Sequence, residues 1–248
     1  MPRLVDHHEA APVVETWRSL ATVGVTLRYS ASIVGHELAG LQSRGQLRDR
    51  VLAWSRAVFD VSGTSLEVEG EELLPEGPCV LLSNHRSLFD APAILLAFPR
   101  PLSFVAKQEL RRVPVFGAAM ARFGVVFVDR SRRASAIGQL AAAQALILGG
   151  TCVWMAAEGG RFIEPELRPF KKGPFHLATQ LQVPHVPTWL QGTDQVLPPS
   201  RYRSRAGQTV TVRFGAPIRT AGLDPHDRGQ RAELMVHARE VLQELGRA

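Results

Sequence analysis

The stretch Leu81-Leu82-Ser83-Asn84-His85-Arg86-Ser87-Leu88-Phe89-Asp90-Ala91-Pro92 contains the change of texture that sets the fold. An apolar run from Cys79 to Leu82 reads as a buried strand and stops at polar Ser83-Asn84-His85. An apolar helical segment, Ala91 to Phe98, begins just after Asp90. Asp90 then falls where a helix N-terminus is expected, because Asp caps free N–H groups and proline is tolerated in the first turn. His85 and Asp90 are five residues apart, about 140° round an ideal helix, so they would not share a helical face. They meet only if His85 lies in the strand-to-helix loop and that loop folds back on Asp90. Such a pair makes chemical sense: a carboxylate on one ring nitrogen fixes the tautomer and leaves the other nitrogen as a base.

A lone His-x4-Asp is short and common, and by itself reads first as a helix cap and a loop residue. The company it keeps changes the reading. Asn84-His85-x4-Asp90 is followed by Gly124-Val125-Val126-Phe127-Val128-Asp129-Arg130, then Glu158-Gly159-Gly160-Arg161, then Val183-Pro184-His185-Val186-Pro187. In order and spacing these resemble the four sequence blocks of the glycerolipid acyltransferases, the 1-acylglycerol-3-phosphate acyltransferase family. The resemblance runs from about Gly70 to about Ile218, and Phe170-Lys171-Lys172-Gly173 and Phe214-Gly215-Ala216-Pro217 also look like family segments. Two departures stand out. The third block usually reads Pro-Glu-Gly-Thr, where this chain has Ala157-Glu158-Gly159-Gly160, and the fourth has His185 where an aliphatic residue is usual. Losing the proline is expected to loosen the loop, and losing the threonine removes one polar contact. Both put the acceptor's identity in question more than the reaction class.

Composition narrows the partners. A net charge of +6 and a pI near 10.1 suit nucleic acid, an anionic membrane surface or anionic substrates. Only 7% of residues are aromatic, and no zinc-finger or RNP-type pattern interleaves with the arginines, so nucleic acid is the weakest option. Cys79 and Cys152 lie in apolar runs and read as small buried hydrophobes of a reducing compartment. No secretory h-region follows Arg3 and Asp6. His7-His8 and His36-Glu37 lack partners at metal-ligand spacing, so no metal is expected.

Along the chain, Trp17, Leu20, Gly24, Leu27, Ala31, Val34, Leu38 and Leu41 recur at helical spacing and make one apolar stripe. Arg18, Arg28 and Glu37 interrupt it, so it does not read as a transmembrane span. A second helical segment, Leu47 to Phe59, sets Trp54 beside Arg48, Arg50 and Arg56. Two readings stay open for this pair: helices lying in a bilayer interface, and helices packed on the domain's own core. Strands are expected at 65–69, 79–83, 102–106, 125–128, 152–156, 185–190 and 209–214. Helices are expected at 137–148, 174–181 and 228–245. Short apolar strands alternating with helices predict an α/β fold with a largely parallel central sheet flanked by helices. The expected organisation is a membrane-associating helical segment over residues 1–60 and a catalytic domain over 61–248.

Acyl transfer needs a base, an anion site for the acceptor and an apolar slot. His85 is the candidate base and Asp90 its orienting partner. Arg130 and Arg161 each follow a strand end, where a parallel sheet lines its ligand crevice, and two guanidiniums there can clamp a phosphate. Lys107, at another strand end, is a further phosphate candidate. Glu158 is open to three readings: holding an arginine, binding the acceptor's hydroxyl, or supporting the loop. Gly159-Gly160 would let backbone approach a ligand closely. No Gly-x-Ser-x-Gly elbow exists in the chain, which counts against a serine hydrolase. The resemblance links Arg130, Gly159 and Arg161 to the phosphate-bearing acceptor. It implies esterification of a lysophospholipid, 1-acylglycerol 3-phosphate to phosphatidate, without a cofactor. Acyl-CoA or acyl-carrier protein would be the donor, at the cytoplasmic face of a membrane, held peripherally or monotopically. Two alternatives remain at this point: another lysophospholipid or lyso-aminolipid acceptor, and a non-catalytic lipid-binding protein of anionic membranes.

Overall fold

The strand expected before His85 runs from Val80 to Ser83 and is buried over its whole length, as a strand covered on both faces must be. The computed structural model describes residues 16–41, 43–129, 133–162, 164, 166–199 and 204–247, with 133–140 described through the backbone alone. In chain order the elements begin α1 (Thr16–Leu38), α2 (Arg44–Ser62), β1 (Ser65–Glu69), β2 (Val80–Ser83) and α3 (Asp90–Ala97). They continue β3 (Leu102–Lys107), α4 (Phe116–Arg122), β4 (Val126–Val128), α5 (Arg133–Leu148) and β5 (Cys152–Ala156). The last are α6 (Lys172–Leu181), β6 (His185–Gln191), α7 (Thr193–Val196), β7 (Thr209–Phe214) and α8 (Arg228–Leu245).

Seven strands form one sheet in the order β1-β7-β6-β2-β5-β3-β4. All neighbours pair in parallel except β6 and β7, so β1 and β7 run against the other five. The sheet is thus largely parallel, with an antiparallel turn-back near one edge. β2 sits between β5 and β6, which places the His85 loop at the middle of the sheet's C-terminal edge. That is where open α/β sheets bind ligands.

Alternation along β2 distributes its side chains between two layers. Leu81 joins an apolar cluster with Ile33, Val58, Phe59, Ile94 and Phe98, on the side of α1, α2 and α3. Val80 and Leu82 turn to the opposite face, toward Ile147 and Leu177 in one cluster and Phe175 and Leu242 in another. Burying each such side chain stabilises the fold by about 1.5–3 kcal/mol before entropy is counted. Cys79 and Cys152 are free, buried thiols where β2 and β5 begin.

The N-terminal helices divide their faces. α2 opens on a capping box, Ser43 with Gln46, and stops at Gly63 in the left-handed region. Its Val51, Val58 and Phe59 lie in the same cluster as the sheet residues. α1 packs on α2 and α4 through its less apolar side, where Ser30 and Ile33 are buried and Trp54 Nε1 donates to Thr26. Most of the apolar stripe turns the other way: Trp17, Leu20, Leu27, Leu38 and Leu41 are exposed, with Val23 beside them, while Val34 packs against the core cluster. Among the described residues no helix is long and apolar enough to cross a membrane.

Candidate active site

Asn84 fixes the start of the loop. Its side-chain amide donates to the Leu190 carbonyl and its oxygen accepts from the Leu190 N–H, both at 2.8 Å. The side chain thereby extends the β2–β6 pairing after the β2 backbone has turned away. Behind it, Trp154 Nε1 donates to Ser83 Oγ at 2.7 Å, and Ser83 Oγ donates to the Asn84 carbonyl at 2.6 Å. The His85 ring stands edge-on to Trp154, with centroids 5.9 Å apart.

The loop does fold back. His85 Nδ1 lies 2.6 Å from Asp90 Oδ2, and the same oxygen accepts the N–H groups of Arg86 at 2.8 Å and Ser87 at 3.1 Å. Three donors therefore converge on one carboxylate oxygen. The cap expectation for Asp90 needs a correction. The helix starts at Asp90 itself, Phe89 holds the cap position without a side-chain bond, and the carboxylate serves the preceding loop. Its place in the first turn remains favourable to the helix dipole. Asp90 is wholly buried, whereas the His85 side chain is 21% exposed. A carboxylate accepting from Nδ1 fixes the tautomer in which the other ring nitrogen, Nε2, is free to accept a proton.

The segment after β5 is fastened to the same loop. Ala157 N–H donates to the Ser83 carbonyl and Phe162 N–H to the His85 carbonyl, at 2.8 and 2.9 Å. A proline in place of Ala157 would have no N–H to give. Replacing the family's proline therefore adds a backbone tether at this point. Gly159 adopts φ +70°, and a Cβ there would stand 2.8 Å from Lys171 Cγ, so Lys171's stem lies where a side chain would go. Gly160 similarly makes room for the Phe162 ring.

Glu158 is buried, and Oε2 accepts the Arg168 N–H at 2.8 Å. Burial raises its carboxyl above the ordinary range, while the Arg168 N–H, the Arg86 charge and the His85 backbone oppose that shift. The Arg168 N–H fits its loop-supporting reading, and the nearby Arg86 charge fits its arginine-holding one. Arg161 is exposed and immediately precedes Phe162, which puts it next to His85 along the fastened segment. Lys107 ends β3 and pairs with Glu109 at 2.9 Å. No described contact brings it to the His85 loop. Arg130 lies outside the described residues.

Several contributors were not singled out from sequence: Arg86, whose guanidinium stacks over Trp189 at 5.4 Å, Trp154, and the two serines flanking His85. Only Asn84 carried a usable signal, since a buried amide between a strand and a histidine must find partners.

A largely parallel α/β sheet with a carboxylate-paired histidine at its C-terminal edge defines a class: an α/β protein whose ligand crevice holds a histidine fixed by a buried carboxylate. Comparison with known proteins is narrower. A family model described as Acyltransferase matches residues 65–191. An uncharacterised acyltransferase of Schizosaccharomyces pombe is 31% identical over 236 residues, 92% of this chain and 81% of its own length. The 1-acyl-sn-glycerol-3-phosphate acyltransferase alpha of Homo sapiens is 35% identical across 71% of this chain, and the match spans 62% of the human protein. The Saccharomyces cerevisiae 1-acyl-sn-glycerol-3-phosphate acyltransferase is also 35% identical, over 69% of this chain and 57% of its own length. The crystal structure of the 1-acyl-sn-glycerophosphate acyltransferase PlsC from Thermotoga maritima shares the fold, with TM-score 0.69 at 24% identity, covering 92% and 95% of the two chains. The chain belongs to the acyltransferase family, in the glycerolipid group of O-acyltransferases.

Proposed function

We propose that this chain transfers an acyl group from a thioester to the free hydroxyl of 1-acylglycerol 3-phosphate, giving phosphatidate. The observation carrying the reading is the His85–Asp90 pair: a buried carboxylate on Nδ1 of a partly exposed imidazole at the sheet's C-terminal edge. His85 Nε2 takes the hydroxyl proton as that oxygen attacks the thioester carbonyl. The tetrahedral adduct collapses by breaking the C–S bond, and the imidazolium returns its proton to the leaving thiolate. Asp90 stabilises the imidazolium while it lasts. Direct transfer is favoured over an acyl-enzyme because the neighbouring hydroxyls are committed. Ser83 and Ser87 are buried and donate to the carbonyls of Asn84 and Leu197. Acyl-CoA and acyl-carrier protein both meet the chemical requirement for the donor.

Purified protein offered a panel of acceptors with each donor, read by mass spectrometry, tests the assignment. Phosphatidate formation is expected; turnover confined to another lysophospholipid or a lyso-aminolipid would move the acceptor instead. That second reading draws on Gly160, where the family's threonine hydroxyl is missing.

Arg161 is proposed to hold the acceptor's phosphate together with Arg130. Charge-assisted bonds of this kind are worth about 1.5–3 kcal/mol, so Arg161→Ala should raise KM for a phosphate-bearing acceptor by roughly 10- to 100-fold. If one phosphate engages both arginines, the double replacement should be non-additive. An equal loss on a phosphate-free acceptor would show that Arg161 is structural.

The outward stripe of α1 is proposed to rest in the membrane interface, with apolar area as its main driving force. Attraction of this basic chain to anionic lipid adds a part that salt screens over about 8–10 Å. In liposome sedimentation, high salt should release a fraction of the protein and detergent nearly all of it. Leu20→Gln with Leu27→Gln should cut sedimentation severalfold while leaving circular dichroism unchanged. Full retention by that variant would transfer the contact to another surface.

A further inference from the structure

We infer that Arg239 of the C-terminal helix α8 is a positioning residue for the acceptor-binding segment, which it straps from outside the stretch that matches the family model. Its guanidinium donates to the carbonyl of Leu167 through one nitrogen and to that of Arg168, at 3.2 Å, through the other. It also lies 5.9 Å from the centre of the Phe170 ring. α8 is independently anchored, by Asp227 capping its first N–H groups and by Leu234, Ala238 and Leu242 in the core. Arg239 therefore reaches out from a fixed base.

What it holds leads back to His85 by two routes. The Arg168 N–H is the donor that Glu158 accepts, and Glu158 stands beside the His85 backbone and Arg86. The Arg168 guanidinium bonds Glu164 at 2.5 Å and covers the Phe162 ring at 4.1 Å, and the Phe162 N–H donates to the His85 carbonyl. Arg161 sits between these fixed points. Among its described residues this loop exposes Arg161, Glu164, Glu166 and Arg168 and buries Leu167 and Phe170. Its shape depends on such ties, and a fork of donors onto two successive carbonyls suits arginine and not lysine. A small shift of a binding group is costly, since a misplacement of about 1 Å can lower rates about 100-fold.

This inference rests on the acyl-transfer reading for its kinetic consequence but not for its structural one, and two measurements separate them. In hydrogen–deuterium exchange, Arg239→Met should speed exchange in the peptide spanning residues 157–171 while β2, β5 and β6 keep their protection. With 1-acylglycerol 3-phosphate as acceptor, Arg239→Met should raise KM about tenfold with kcat changed less than about threefold, as expected for a lost binding geometry. Arg239→Lys should recover only part of the KM, because one ammonium cannot serve both carbonyls at guanidinium geometry. Unchanged exchange in 157–171 would overturn the strap. Faster exchange throughout the sheet would also overturn it, by making Arg239 a general stabiliser. A loosened loop with unaltered acceptor KM would overturn the positioning role. If wild-type protein turns over no phosphate-bearing acceptor, the functional reading falls, and the exchange result still decides the strap.

Discussion

Replacing His85 with alanine is expected to lower turnover by about 10²- to 10⁴-fold, the range for a positioned general base. The fold should survive, because the imidazole is partly exposed and its neighbours hold one another without it. The Asn84 side chain is bonded to the Leu190 backbone, Ser83 to Trp154, and Asp90 keeps the N–H groups of Arg86 and Ser87. Asp90→Asn should cost less. It keeps the size of the side chain and an acceptor oxygen, but it removes the charge that stabilises the imidazolium. It can also turn its amide toward Nδ1 and favour the wrong tautomer, so part of the loss should appear in the pH profile of kcat. Steady-state turnover with circular dichroism on both variants makes the check. Near wild-type turnover of a folded His85→Ala protein would end the general-base mechanism and move the base to another group.

The sequence exposed the parts of the molecule whose signals are local. Strands β1, β5 and β7 occupy the expected residues, and β2, β3, β4 and β6 differ by one residue at one end, because short apolar runs between turn residues have few other uses. His85 and Asp90 were legible because their residue types and spacing carry chemistry by themselves. The rest depends on distant partners. α4, which packs on α1, showed no periodicity long enough to read over Phe116–Arg122. No local pattern says whether the apolar stripe of α1 meets a core or a membrane; in the structure Trp17, Leu20, Leu27 and Leu38 face outward and Val34 packs on the core. Ala157 illustrates the same limit. The loss of a proline reads as added freedom until the N–H it restores is seen to bond Ser83. Arg239 is 71 residues from Arg168, and nothing in an amphipathic helix marks one arginine as a strap.

His185 gives the second large effect, and burial is its main cause. It stands at the start of β6, wholly buried, 5.0 Å from the Phe175 ring centre, with neither ring nitrogen hydrogen-bonded among the described residues. Its backbone exchanges reciprocal bonds with Ile218 at 2.8 and 3.0 Å. Burial disfavours the charged imidazolium and lowers the pKa from 6.5 to about 4. The unfolded chain therefore binds a proton that the folded chain refuses between those two values. Stability associated with this residue is fully present above about pH 6.5 and is lost as pH falls toward 4. At 1.36 kcal/mol per pKa unit the loss is about 2 kcal/mol at pH 5 and about 3 kcal/mol near pH 4. His185→Leu has similar volume and no polar atoms to leave unsatisfied, so it should hold or raise stability at pH 7.5. Urea unfolding of both proteins at pH 7.5 and pH 5.0 isolates the effect, because the other titrating groups are common to the pair. Glu158, whose raised carboxyl pKa works in the opposite direction, cancels in that difference. The advantage of the leucine variant should grow by about 2 kcal/mol between the two pH values. An advantage that stays constant would mean that His185 is protonated in the folded protein at pH 5.0, and hence that the core around Phe175 admits water or a counter-charge.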